Sequence, residues 1–157
     1  MLRKIQSKKI QGRGSVFVIV ASNYNARYVD AMLRAARREL TRAGARVQVV
    51  RVPGAYEIPV VAARLARLAS EDSGLSAILC LGVILRGATT HAQHIGEAVS
   101  AALAQIQILH EVPVIHEVLL LENEQQARER CLDRKHNRGT EAAQTALEMA
   151  RVMAGLK

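Results

Sequence analysis

Among the side chains able to move a proton or grip an anion, His91 has the most telling setting. It follows Gly87-Ala88-Thr89-Thr90 and opens a stretch of helical spacing. A helix starting there aims free backbone N–H groups and the positive end of its dipole at the loop, which favours anions, phosphate included. An imidazole in the first turn can exchange protons near neutral pH. The plainer alternative is that Thr89 or Thr90 simply caps the helix. His94 lies three residues on and Glu97 a further turn, but no HExxH or cysteine set accompanies them, so no metal is expected.

Three further positions could belong with His91. Glu57, in Val52-Pro53-Gly54-Ala55-Tyr56-Glu57-Ile58-Pro59, stands near a helix N-terminus. It either compensates the dipole or accepts hydrogen bonds from hydroxyls of a ligand. Tyr24 is one of only four aromatics and falls just past an apolar strand. It is a stacking platform for a flat ring or a local packing residue. Arg130 alone reads as a solvated charge; set against the Gly87–Thr89 loop of a neighbouring copy, it could clamp a phosphate bidentately.

These positions depend on the elements that carry them. Val16–Ala21, Val47–Val52, Ala77–Leu85 and Val112–Leu121 are apolar runs of strand length. Between and after them, residues 26–43, 56–69 and 91–109 carry helical spacing, with Gly44 placed to stop the first. Asn123 is a plausible N-cap, with Gln126 at the capping-box position of a helix to about Leu132. A basic turn and a final helix over 140–153 complete the chain. Four alternations of strand and helix with short connections predict an α/β/α sandwich on a flavodoxin-like, four-stranded parallel sheet. Ligands bind such sheets at the carboxyl ends of the strands, which selects the loops 22–25, 52–57, 83–91 and 116–122. Residues 1–14 are polar and basic and read as an arm outside a single domain spanning 15–157.

Composition limits the partners. In 157 residues, half are apolar but only 3% are aromatic, so the core must be aliphatic. Such parallel strands, covered on both faces, read as continuous apolar runs. The net charge of +8 could suggest nucleic acid. However, the basic residues are spread along helix faces with no interleaved aromatics for base stacking, so that partner is not expected. Cys80 and Cys131 have no zinc or redox spacing and suit reduced thiols. With no signal-peptide core and no apolar run long enough to cross a bilayer, a cytoplasmic location is expected.

Four ordered segments carry a family resemblance over roughly residues 15–153. Residues 52–59, VPGAYEIP, resemble the VPGAxEIP signature of lumazine synthases, and 81–91, LGVILRGATTH, resemble their LGxVIRGxTxH segment. Residues 124–130, EQQARER, are similar to their EQAxxR helix, and 137–143, NRGTEAA, to their NKGxEAA start. The resemblance implies a transferase of riboflavin biosynthesis. It would condense 5-amino-6-(D-ribitylamino)uracil with 3,4-dihydroxy-2-butanone 4-phosphate to 6,7-dimethyl-8-ribityllumazine, with release of phosphate and water and no cofactor.

Roles follow from the matched positions. Tyr24 stands for the family's stacking Phe, Glu57 for the acid that holds the ribityl chain, and Ala55 and Tyr56 flank it. Val83, Ile84 and Leu85 match the segment whose backbone reads the pyrimidine edge. Ala88 and Thr89 match the phosphate loop, His91 the proton-transfer residue, and Arg130 the phosphate-binding arginine of an adjacent subunit. His116 falls where a neighbour's Phe closes the pocket. The resemblance further implies homopentamers with shared sites and, in many members, an icosahedral shell of twelve pentamers. The turn 131–139 has no insertion of the kind seen in some pentamer-only members. In the family the N-terminal arm can extend a neighbour's sheet. The chief departure is residues 116–121, HEVLLL, where FGVLT-T is usual. Here Glu117 brings a negative charge close to a phosphate-handling site. The alternative is a catalytically silent, shell-forming protein of the same fold.

Overall fold

A computed structural model describes residues 2–6, 8–71 and 74–156. The described residues form β1 (Val16–Ser22), α1 (Ala26–Arg42), β2 (Arg46–Val52), α2 (Ile58–Glu71), β3 (Ala77–Leu85), α3 (His91–His110), β4 (Val114–Leu121), α4 (Glu124–Ala127) and α5 (Arg138–Ala154). The four strands make one parallel sheet in the order β2-β1-β3-β4. Helices α1 and α5 cover one face and α2 and α3 the other. The expected sandwich is therefore the observed one.

The alternation of strand side chains divides the core in two. Phe17, Ile19, Ala21, Leu79 and Leu81 pack under α1 and α5. Val20, Ile78 and Cys80 pack under α2 and α3. Central strand β3 is buried on both faces from Ala77 to Ile84, which accounts for its unbroken apolar run. Small residues let the helices approach closely. A Cβ added to Gly139 would stand 2.0 Å from the Met32 carbonyl oxygen, so α5 can cross α1 here only with glycine.

Several boundaries differ from the sequence expectation. The helix expected at 56–69 begins as a 3-10 turn, Ala55–Glu57, before α2. The segment after α4 widens into one π turn, Arg128–Leu132. Asn137 accepts from the Gly139 N–H at 2.8 Å, so α5 starts at Arg138 rather than Thr140. Val112 and Pro113 precede β4 instead of opening it. The Asn123 cap forms as expected, accepting from Gln126 N–H at 2.9 Å. Gln126 returns its side chain to the Glu122 N–H, one residue earlier than a capping box requires.

Among its described residues the N-terminal arm forms no strand within its own chain. Ile5 N–H donates to Lys135 O, Lys8 pairs with Glu148 at 2.7 Å, and Ile10 packs against the α1–α5 side of the core. Within one chain the arm thus lies against α5 and its neighbours instead of standing clear. No helix among the described residues is long and apolar enough to cross a membrane.

Candidate active site

At the carboxyl ends of β1 and β3 the sheet opens into a cavity of about 680 Å³. That volume suits a small-molecule ligand. It lies where the strand order reverses between β1 and β3, the position the fold reserves for ligands.

Tyr24 reaches the cavity on a loop tied to its neighbour. Asn23 N–H donates to Val52 O, Tyr24 N–H donates to Pro53 O, and the Arg51 guanidinium bonds Asn23 Oδ1, Ser22 O and the Asp30 carboxylate. The phenol is 69% exposed, so its ring is presented rather than packed. Asn25 follows with φ 58°, a left-handed conformation that asparagine tolerates. From there its amide donates to Val83 O at 2.7 Å.

That bond shows how the end of β3 is arranged. Pairing with β1 stops at Leu81, whereas pairing with β4 continues to Leu85. Asn25 occupies the Val83 carbonyl on the open side, and Arg86 N–H goes to Leu121 on the other. Backbone groups alternate in direction along a strand. The Leu85 N–H and C=O therefore face the open side with no strand to receive them. Val83, Ile84 and Leu85 all line the cavity.

The opposite wall is the turn after β2. Gly54 N–H donates to Glu57 Oε2 at 3.0 Å, which leaves the second carboxylate oxygen for a ligand. Gly54 is needed for close packing: a Cβ there would stand 2.8 Å from Tyr24 Cδ2 and 3.0 Å from Glu57 Oε2. Ala55 and Tyr56 line the same wall.

The third wall is the start of α3. His91 lines the cavity, joined by His94, Ile95 and Ala98 from the next turns. Thr89 Oγ1 receives His91 N–H at 3.4 Å, a weak cap, and no acid stands in the first turn of α3. Ala88 and Thr89 are exposed on the loop before this helix and do not line the cavity itself. Arg86 braces the loop through Glu122 at 2.9 Å and Gln93 at 3.3 Å. Among the described residues no three His, Cys, Asp or Glu side chains gather as metal ligands.

Two expected residues lie elsewhere in the same chain. Arg130 sits on the π turn, beside Arg138 and Glu141 on the α5 side. His116 projects from β4 toward α3. Val118 N–H donates to its Nδ1 at 3.1 Å, so the ring proton sits on Nε2 and goes to Ser100 Oγ at 2.7 Å. Partial burial pulls this imidazole below its ordinary pKa. Glu117 points to the other face and is only 5% exposed. Arg138 grips both its oxygens, at 2.9 and 3.2 Å. Burial pushes this carboxyl upward while Arg138 opposes the shift. The charge suspected of disturbing phosphate is thus bound up inside the chain.

The model of the 6,7-dimethyl-8-ribityllumazine synthase family matches residues 14–154. The chain belongs to this family. A relative from Stenotrophomonas maltophilia (strain R551-3), named 6,7-dimethyl-8-ribityllumazine synthase, is 41% identical over 140 residues, covering 87% of this chain and 88% of its own. One of the same name from Desulfotalea psychrophila (strain LSv54 / DSM 12343) is 38% identical over 151 residues, 94% and 95% of the two chains. A third, from Xanthomonas campestris pv. campestris (strain B100), is 39% identical over 140 residues. For a lumazine synthase fold, the cavity brings together Tyr24, Ala55, Tyr56, Glu57, Val83, Ile84, Leu85 and His91, and leaves His116 and Arg130 outside.

Asn25, Arg51 and Gly54 escaped the sequence reading. Asparagine after a strand signals a left-handed turn, so Asn25 was findable. Nothing marks Arg51, which reads as an outward residue of an edge strand. Gly54 stands in the VPGAYEIP segment, but its closeness to Tyr24 arises only in three dimensions.

Proposed function

We propose that this chain condenses 5-amino-6-(D-ribitylamino)uracil with 3,4-dihydroxy-2-butanone 4-phosphate to give 6,7-dimethyl-8-ribityllumazine. The observation that carries the reading is the cavity itself. Four stretches of a lumazine synthase chain converge there to offer an aromatic plate, a half-free carboxylate, open strand groups and an imidazole at a helix N-terminus. Tyr24 stacks on the pyrimidine, whose edge bonds the open backbone of Leu85. The free oxygen of Glu57 accepts ribityl hydroxyls. The phosphate rests at the start of α3, by Ala88 and Thr89, where the helix dipole favours it.

The chemistry asks little beyond placement and proton traffic. The pyrimidine amine adds to the ketone carbonyl and loses water to form an imine. A proton then leaves the carbon next to the imine, the adjoining carbon–oxygen bond breaks and phosphate departs with the electron pair, and the enol so formed returns to a ketone. The ribityl-bearing nitrogen closes the ring with loss of a second water. His91, beside the departing phosphate, carries protons for these steps, and holding both reactants in register supplies much of the acceleration.

The site is completed by a second copy. Arg130 and His116 stand apart from their own cavity, and among the described residues both sheet edges, β2 and β4, lack an outer strand. These features support a pentamer in which one chain's Arg130 and His116 meet the next chain's His91. The N-terminal arm then moves to an open sheet edge of a neighbour. The short turn 131–139 is compatible with twelve pentamers closing a shell. The buried, unpaired thiols suit the reducing cytoplasm.

The test mixes purified protein with both substrates and follows lumazine absorbance and phosphate release together. Matched rates above the uncatalysed background are expected. Background rates from a protein that still assembles would overturn the reading in favour of a silent shell protein.

A further inference from the structure

On the α1–α5 face, away from the candidate active site, lies a second cavity of about 550 Å³. Its charged lining is entirely basic. Arg34 and Arg38 come from successive turns of α1, and Arg134 reaches in from the turn before α5. Among the described residues none of the three has an acidic partner. No carboxylate lines the cavity. Asp133, next to Arg134 in sequence, is engaged by Lys135 N–H at 2.7 Å and His136 at 3.4 Å.

The rest of the lining is suited to holding an anion. Thr140 brings a hydroxyl. Asn137 forms part of the floor, its amide locked onto Cys131 O at 2.6 Å and Gly139 N–H at 2.8 Å. The turn that carries Arg134 is therefore anchored. Like charges at i and i+4 on one helix repel, and Arg34 and Arg38 keep that arrangement with no acid to relieve it. A guanidinium offers a planar fork that takes two phosphate oxygens. Two forks used in this way occupy the four oxygens of one phosphate, and a third requires another group to grip.

We propose that this cavity binds a small anion bearing two or more phosphate groups, gripped by Arg34, Arg38 and Arg134. The site is separate from the catalytic cavity and shares no residue with it. It would also exist if the chain proved catalytically silent.

Pyrophosphate is the probe, titrated calorimetrically at low salt into the full chain carrying Arg130→Ala, so that the proposed substrate phosphate site contributes little. One pyrophosphate per chain is expected, bound at least about tenfold more tightly than inorganic phosphate. Adding Arg34→Gln and Arg38→Gln should weaken it by roughly tenfold or more. In the otherwise native chain the same two changes should leave lumazine turnover unchanged. Arg134→Gln alone, on an exposed turn, provides a second reading and should weaken binding about threefold. Pyrophosphate binding that survives these substitutions would overturn the proposal. So would pyrophosphate bound no more tightly than inorganic phosphate.

Discussion

Removing Arg138 should unfold the chain more readily than removing its partner Glu117, and only the first loss should heal in acid. Glu117 is 5% exposed and is held by both arms of the Arg138 fork. In Arg138→Ala a carboxylate is left in the core with only the charge of nearby Arg130 to favour it. Breaking a buried pair in this way costs about 3–5 kcal/mol. The lower end applies here, because Glu117 can escape by taking up a proton. At about 2–4 °C per kcal/mol for a chain of this size, about 3 kcal/mol lowers Tm by roughly 6–12 °C. Glu117→Gln leaves instead a guanidinium that is 31% exposed and still paired with Glu141 at 2.6 Å, and costs about 1 kcal/mol. The pH dependence has a definite sign. The folded pKa of Glu117 lies above its ordinary value. The native state therefore holds the extra proton between the two values, and stability falls as pH rises through that window. Loss of Arg138 removes the influences that lower this pKa, so the window widens upward and the deficit shrinks on acidification. Thermal unfolding at pH 5 and pH 7.5, at one fixed protein concentration because self-association shifts Tm, measures all of this. Equal losses in the two single variants, or a deficit in Arg138→Ala that does not shrink at pH 5, would refute the argument.

Four other outcomes follow from the geometry. His91→Ala should lower kcat by no more than about 10²-fold, in line with general acid–base help to a reaction that partly proceeds unaided, with little change in KM; steady-state kinetics decide it. Co-expressed with Arg130→Ala, at limiting phosphosugar, it should give more activity than the mean of the two variants, since roughly a quarter of randomly assembled shared sites are intact. Activity equal to the mean would place both residues in one chain's site. Gly54→Ala should raise KM for the pyrimidine several-fold while Tm barely moves, because the added methyl displaces an exposed Tyr24 ring and the Glu57 carboxylate rather than core atoms. Cys80 and Cys131 should stay unreactive to a thiol reagent at pH 8 until the chain unfolds. Burial raises both, Cys131 to about 12 and Cys80 further, and only the thiolate reacts.

The sandwich was legible because its signals are local and repeated. An apolar run the length of β3 has one comfortable place, the middle of a parallel sheet, and the glycine after α1 marks its end with φ 86°. Boundaries were lost where a side chain replaced a backbone partner. Asn137 caps α5 so that it starts two residues before helical spacing becomes evident, and the π turn at Arg128–Leu132 has no periodic signature. The candidate site was legible for a different reason. The fold places strand ends together, so Tyr24, Glu57, Val83 and His91 could be grouped without knowing any distance.

What the sequence could not convey is which charges cancel. Glu117 looks like an intruder beside a phosphate site until β4 turns it inward onto Arg138. Arg34, Arg38 and Arg134 look like solvated helix charges until α1 and the turn before α5 close around one cavity. The same distinction separates Arg130 from the residues of its own cavity. An arginine kept on the α5 side, with Arg138 and Glu141 around it, can reach a phosphate at the start of α3 only if that phosphate belongs to another chain. If the proposed reading holds, a single copy carries two halves of different sites, and turnover and assembly should then rise and fall together.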